Sequence, residues 1–139
     1  MENILVAIDG RRGSWEALSR ACALARRIEV KLNVLLVTQA GGPKLSRAEI
    51  EAEECVRKRL EQLIESAKAE GFKINYFVAE GNYEDQVISF VNHNKITLLV
   101  HELNEGDARS ADKEFAALRS IRHRISCRVE VVAPKKTYS

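Results

Sequence analysis

The residues best placed to do chemistry stand at the end of the first apolar run, Ile4-Leu5-Val6-Ala7-Ile8-Asp9-Gly10. A run that is apolar on both faces reads as a central strand of a parallel sheet. Asp9 then sits at the carboxyl end of that strand, where open α/β sheets bind ligands. An acid there either faces a ligand or caps the Gly10–Gly13 turn with its own side chain, and both uses are open. Arg11 and Arg12 follow, placed to meet an anion together with the start of the first helix, or simply to be solvated. His101 ends a second apolar run, Ile96–Val100, and is placed to line the same crevice. It has no Cys or His at metal-ligand spacing. Glu102, its neighbour, would point to the opposite face of a strand.

Nothing in the chain calls for catalysis or a resident metal. No serine sits in a Gly-x-Ser-x-Gly elbow. The three cysteines, Cys22, Cys55 and Cys127, are isolated and form no C-x-x-C pair, so they read as reduced structural thiols. Carboxylates cluster only in helix-surface runs such as Glu51-Ala52-Glu53-Glu54, which read as a solvated face. Arg119, Arg122, Arg124 and Arg128 form a basic stretch around His123. No aromatic residues interleave to stack bases, so it reads as the positive end of a helix beside an exposed edge, and no nucleic-acid partner is expected.

The chain around these residues has 139 amino acids, 45% of them hydrophobic and 30% charged, with a net charge of +2. That suits one domain with one core, here 1–134, followed by a tail at 135–139. A near-balanced charge makes no case for a polyanionic partner. No apolar run approaches the roughly 20 residues of a membrane span. Glu2 ahead of a short, strand-like run is unlike a secretory signal, so the expected location is cytoplasmic.

The elements alternate. Strands are expected at Ile4–Ile8, Lys31–Val37, Lys73–Ala79, Ile96–Val100 and Arg128–Val132. Helices are expected at Ser14–Ile28 with Ser14 as N-cap, Arg47–Glu70 behind a Ser46/Glu49 capping box, a third opened by Asn82 and closed by Asn92-His93-Asn94, and Asp112–Arg124. Gly71 ends the second helix. In the third strand Ile74, Tyr76 and Val78 alternate with Asn75 and Phe77, so this strand is expected at an edge or only partly covered. The last helix offers Phe115, Leu118, Ile121 and Ile125 as its buried stripe, and a polar loop, Leu103–Ser110, precedes it. Strict alternation of strand and helix means parallel strands, right-handed crossovers and helices on both faces. The two most apolar strands are the first and fourth. Placing them side by side at the centre gives a doubly wound α/β sheet of order 3-2-1-4-5, with its crevice beside Asp9 and His101. The fifth strand is then an edge whose Val129/Val131 face needs cover.

Three segments together resemble the universal stress protein family: the opening run through Gly10 with the following Ala17-Leu18 and Ala21-Cys22-Ala23-Leu24-Ala25; Val78-Ala79-Glu80-Gly81-Asn82 leading to Ile96-Thr97-Leu98-Leu99-Val100; and Ser126-Cys127-Arg128-Val129-Glu130-Val131-Val132. The resemblance implies a five-stranded α/β domain that dimerises through its last strand, here Arg128, Val129, Glu130, Val131 and Val132, with Arg128 and Glu130 free to cross-pair. It also implies adenosine contacts at Asp9 and Val37. The family's ATP-binding branch carries Gly-x-x-Gly after strand four and, about nine residues on, Gly-Ser or Gly-Thr; glycines there let backbone N–H groups reach the phosphates. This chain reads His101-Glu102-Leu103-Asn104 instead, and the later pair falls at Glu114-Phe115 or Phe115-Ala116. Glu102, Glu105, Asp107 and Glu114 would repel a triphosphate. The crevice of Asp9, Gly10, Val37, His101 and Asn104 therefore lacks a phosphate cradle. The implied role is a non-enzymatic, dimeric stress-response or signalling module with an unidentified protein partner, no expected cofactor and no usual ATP binding. The alternative is a sensor of AMP, adenosine or another nucleotide; a nucleotide hydrolase or transferase fits least.

Overall fold

The computed structural model describes residues 2–11, 13–27, 29–39, 46–103 and 108–133, with the backbone alone at 108–114. The order is β1 (Glu2–Asp9), α1 (Trp15–Arg27), β2 (Val30–Thr38), α2 (Arg47–Ala69), β3 (Ile74–Glu80), α3 (Tyr83–His93), β4 (Leu98–Glu102), α4 (Ala108–Arg124) and β5 (Arg128–Val132). All neighbours are parallel, in one five-stranded sheet of order β3-β2-β1-β4-β5. This is the doubly wound arrangement expected from the two apolar runs. Arg12, Asn104 and the tail at 135–139 lie outside the described residues.

Alternation along each strand divides the core. Ile4, Val6 and Ile8 face one side with Leu32, Val34, Leu36, Leu98 and Val100, under Ala17, Leu18 and Ala21 of α1 and Val56, Leu60 and Ile64 of α2. Leu5, Ala7, Leu35, Val37 and Leu99 face the other, under Val87, Ile88 and Val91 of α3 and Ile121 of α4. β1 is buried throughout from Ile4 to Ile8, as a strand covered on both faces must be.

The helix ends follow their sequence signals. Ser46 and Glu49 close a capping box on α2. Gly71, at φ 103°, ends the same helix: its N–H donates to Lys68 O and that of Phe72 to Ala67 O, the double bond of a Schellman turn. The Asn82 side chain accepts from the Asp85 N–H at the start of α3. Asn33, buried mid-sheet, donates to Asn3 Oδ1 at 2.7 Å and to Ile4 O, and accepts from Asn75 Nδ2. This ladder of side chains satisfies a polar group that burial would otherwise penalise.

Three expectations change. β4 starts and ends two residues later than its apolar run suggested. Thr97 is held outside the strand, exchanging hydrogen bonds with Asn3 at the foot of β1. At the other end, pairing with β5 extends through His101↔Val131 and Glu102↔Val132. His101 and Glu102 are therefore the last two residues of β4. Val78, 40% exposed, keeps to the partial cover expected of this edge strand. Phe115 is 53% exposed, although Leu118 and Ile121 keep the buried stripe of α4; α4 itself starts a turn earlier than expected and packs chiefly on α3.

Candidate functional site

The carboxyl ends of β1, β2 and β4 meet the start of α1 and the first turns of α2. Asp9 turns back on its own loop: its Oδ1 accepts from the Arg11 N–H at 2.9 Å, and its carbonyl accepts from the Gly13 N–H at 2.8 Å. This is the turn-capping use of the acid. Gly10 donates its N–H to Val37 O at 2.8 Å, which brings these two members of the expected crevice together at the β1–β2 seam. Gly10 is required there for space. A Cβ would stand 2.8 Å from Val37 O and 3.2 Å from Glu53 Oε2. Gly10→Ala is expected to cost about 1–3 kcal/mol, since a backbone oxygen cannot turn aside as a side chain would. Urea denaturation measures it; a loss below about 0.5 kcal/mol would mean that the seam gives way freely. Gly13 is needed for conformation as well, with φ 78° and the Trp15 ring packed against its Cα.

β4 sends its last two side chains to opposite faces. The His101 ring goes to the α3/α4 side, buried to 2% exposure. Its Nδ1 shares a 3.2 Å hydrogen bond with the Tyr83 hydroxyl, in a direction set by the ring's tautomer. Its Nε2 has no hydrogen-bond partner among the described residues. Burial, with Arg122 beside it, pulls the imidazole from 6.5 down to about 4, so it is neutral at pH 7. His101 and Asp9 are not joined: one ring is committed to Tyr83, the other carboxylate to its own turn.

Glu102 goes to the α1 side. It is buried, and its Oε1 accepts from the Ala17 N–H at 2.9 Å. Burial raises its carboxyl above the ordinary value, opposed by backbone hydrogen bonds from Ala17 and Glu16. The third N–H of α1 is the donor that an N-cap side chain normally satisfies. Ser14 was expected to fill that role. Instead a carboxylate from β4 lies on the positive end of α1, the position where first-helix α/β sites hold an anion.

A second correction concerns Glu53. It stands in a run expected to be solvated, yet it is 6% exposed. It lies on the stripe of Val56 and Leu60, one turn earlier, which is the signal that could have placed it. Its Oε2 accepts from the Gln39 N–H at 3.0 Å. Arg11 reaches the Gln39 side chain and lies 3.4 Å from Glu49. The β1 and β2 ends are thus clasped to α2. Around this end of the sheet the carboxylates of Asp9, Glu49, Glu53 and Glu102 stand with the cations of Arg11, of Arg59 over the Trp15 ring and of Arg122 beside His101; the carboxylate nearest the start of α1, Glu102, opposes a phosphate there. Among the described residues, no three side chains of metal-ligating type converge.

Two cavities lie at the opposite, amino ends of the strands. One of about 480 Å³ is bordered by Val30, Lys31, Phe72 and Lys73, and one of about 390 Å³ by Glu2, Leu98 and Arg128. Neither reaches Asp9 or His101. On β5, both charges expected to cross-pair with a copy are engaged within the chain: Arg128 with Glu2, and Glu130 with Arg20 at 3.0 Å. Cys22 and Cys127 are half-buried, and burial raises both thiols, as suits unreactive sulfur.

A sequence profile of the universal stress protein family matches residues 1–102. The chain belongs to the universal stress protein family. No curated protein sequence matches it. Solved universal stress proteins share its fold at low identity. UspA from Lactobacillus plantarum has a TM-score of 0.65 at 15% identity, covering 94% of this chain and 97% of that one. The Archaeoglobus fulgidus protein in complex with dAMP has 0.64 at 17%, covering 94% and 97%. A family protein from Arabidopsis thaliana with AMP bound has 0.59 at 14%, covering 97% and 93%. In this universal stress protein no helix among the described residues is long and apolar enough to cross a membrane.

Proposed function

We propose that this universal stress protein is a non-enzymatic, cytoplasmic signalling module that acts through protein contacts, as a homodimer joined at β5, and does not bind ATP in the family's usual way. The observation that carries this reading is the Glu102 carboxylate on the Ala17 N–H at the start of α1. An internal anion already holds the donor that a ligand anion would need. Two further features support it. His101 and Leu103, in the stretch where the ATP-binding branch carries its first glycine pair, are buried at 2% and 8% exposure and fill space a ligand would need. Neither glycine of that pair is present. For the dimer, β5 is a sheet edge, and Val131 is 38% exposed on it. With Arg128 and Glu130 held in-chain, its seam rests on Val131 and on the strand backbone that pairs with no other strand among the described residues.

A second reading is favoured by the AMP and dAMP bound to relatives. In it Asp9 and Val37 hold a nucleoside in a crevice that lacks a phosphate cradle. Isothermal titration with ATP, ADP, AMP and adenosine, with and without magnesium, separates the two. The expected result is no heat and no thermal stabilisation from any of them. Micromolar binding of AMP or adenosine that is lost in Asp9→Ala would put the sensor reading first.

A further inference from the structure

We propose that the free edge of β3 binds an extended segment of another protein, which runs antiparallel to β3, is apolar at its centre, and carries a basic residue near its amino end and an acidic one near its carboxyl end. The proposal rests on the reading of the chain as a module that works through protein contacts and pairs with its copy at β5.

β3 is the sheet's other edge: among the described residues it is hydrogen-bonded to β2 alone from Ile74 to Glu80. Natural edges are blunted by charges within the strand, by proline or by bulges. From Ile74 to Ala79 β3 carries no charge and no proline, and its register with β2 runs through to Glu80 without a bulge. At its middle, Phe77 and Val78 are 41% and 40% exposed. Being adjacent, they stand on opposite faces, so an added strand would find apolar cover above and below. The edge is also held still. Phe77 lies edge-on to Phe90 at 5.0 Å, the Tyr76 hydroxyl donates to Glu61 at 3.1 Å, and the Asn75 side chain donates to Asn33. A rigid template loses little freedom when it accepts a strand.

Charge and symmetry choose the occupant. Lys73 stands at one end of β3 and Glu80 at the other. Antiparallel pairing is the more stable kind per residue. It brings the incoming amino end to Glu80 and the carboxyl end to Lys73, which selects a basic residue first and an acidic one last. A second copy at this edge is excluded by the β5 dimer. A sheet that paired with its own copy at both edges would extend without closing.

The test uses the full chain and two end-capped, fluorescein-labelled heptapeptides, Lys-Thr-Val-Phe-Val-Thr-Asp and the charge-swapped Asp-Thr-Val-Phe-Val-Thr-Lys. Fluorescence anisotropy is expected to show saturable binding of the first, at least threefold weaker binding of the second, and more than tenfold weakening by Phe77→Lys or, separately, by Val78→Lys. Val131→Lys on β5 is expected to leave peptide binding unchanged and to convert the dimer to monomer in sedimentation velocity. No binding, or binding indifferent to both β3 substitutions, overturns the proposal while leaving the β5 dimer standing. A dimer that survives Val131→Lys but dissociates in Phe77→Lys overturns it in favour of a second copy at β3.

Discussion

Wild-type protein is expected to lose about 3 kcal/mol of stability between pH 7 and pH 4 through His101 alone, and His101→Phe to be spared that loss. The buried imidazole titrates near 4 where the unfolded one titrates near 6.5. Between those values the unfolded chain binds a proton that the native chain refuses, so stability rises with pH across the window and falls as the solution is acidified through it. Below pH 4 both states are protonated and the slope from this group ends. Two groups face the ring from the helices on its side: Tyr83 on α3, which shares the hydrogen bond at Nδ1, and Arg122 on α4, which opposes its charge. Phenylalanine keeps the ring's bulk and removes the titration. Urea denaturation of both proteins at pH 7, 5.5 and 4 measures the difference directly. Parallel curves for the two proteins across that range would show that His101 accepts its proton in the native state, and the closed crevice would then be open to water.

The strand order could be read from two apolar runs because a strand covered on both faces has nowhere to put a polar side chain. Ile4–Ile8 and Leu98–Val100 are such runs, and they lie side by side. The caps at Ser46, Gly71 and Asn82 were legible for a similar reason: each is settled within a few residues of chain. What escaped depends on contacts between distant segments. Thr97 looks like a strand residue until Asn3 claims it. Glu102 could be set on the face opposite His101, but nothing near it in the sequence shows that α1, 85 positions away, presents an N–H to it. Glu53 looks solvated in an acidic run, and only its place on the Val56 and Leu60 stripe hints at burial. Phe115 was assigned to the core by periodicity. Periodicity names a face, though, and does not say how far the cover over that face extends.

The same limit applies to the crevice. Asp9 and Val37 lie in register at the carboxyl ends of β1 and β2, while the bond from Gly10 to Val37 was not foreseen. Asp9, however, had two local uses open to it, and the structure takes the shorter one, the bond to the Arg11 N–H. His101 reached the crevice region as a buried strand residue bound to Tyr83, so the residue that could have offered a ligand a proton is occupied with packing.

Glu102 yields the other large effect. Glu102→Ala is expected to destabilise by about 2–4 kcal/mol at pH 7, because it removes the acceptor from buried N–H groups at the start of α1 and leaves a void at the end of β4. Glu102→Gln keeps an acceptor of the same length and is expected to stay within about 1 kcal/mol of wild type. The pH dependence runs opposite to that of His101. Burial raises the native carboxyl above its ordinary 4.5, so between those values the native state holds a proton that the unfolded state has released. Stability from this group is therefore full below 4.5 and falls as pH rises through the raised native value. The two slopes oppose each other in wild type, which is why the single variants are needed. Glu102→Gln should steepen the net acid loss by removing the opposing term, and His101→Phe should expose the Glu102 slope by itself. If alanine proves as stable as glutamine at position 102, the carboxylate is not what satisfies the start of α1. The first helix would then be free to receive an anion, and the chain's separation from phosphate ligands would have to rest on the missing glycines alone.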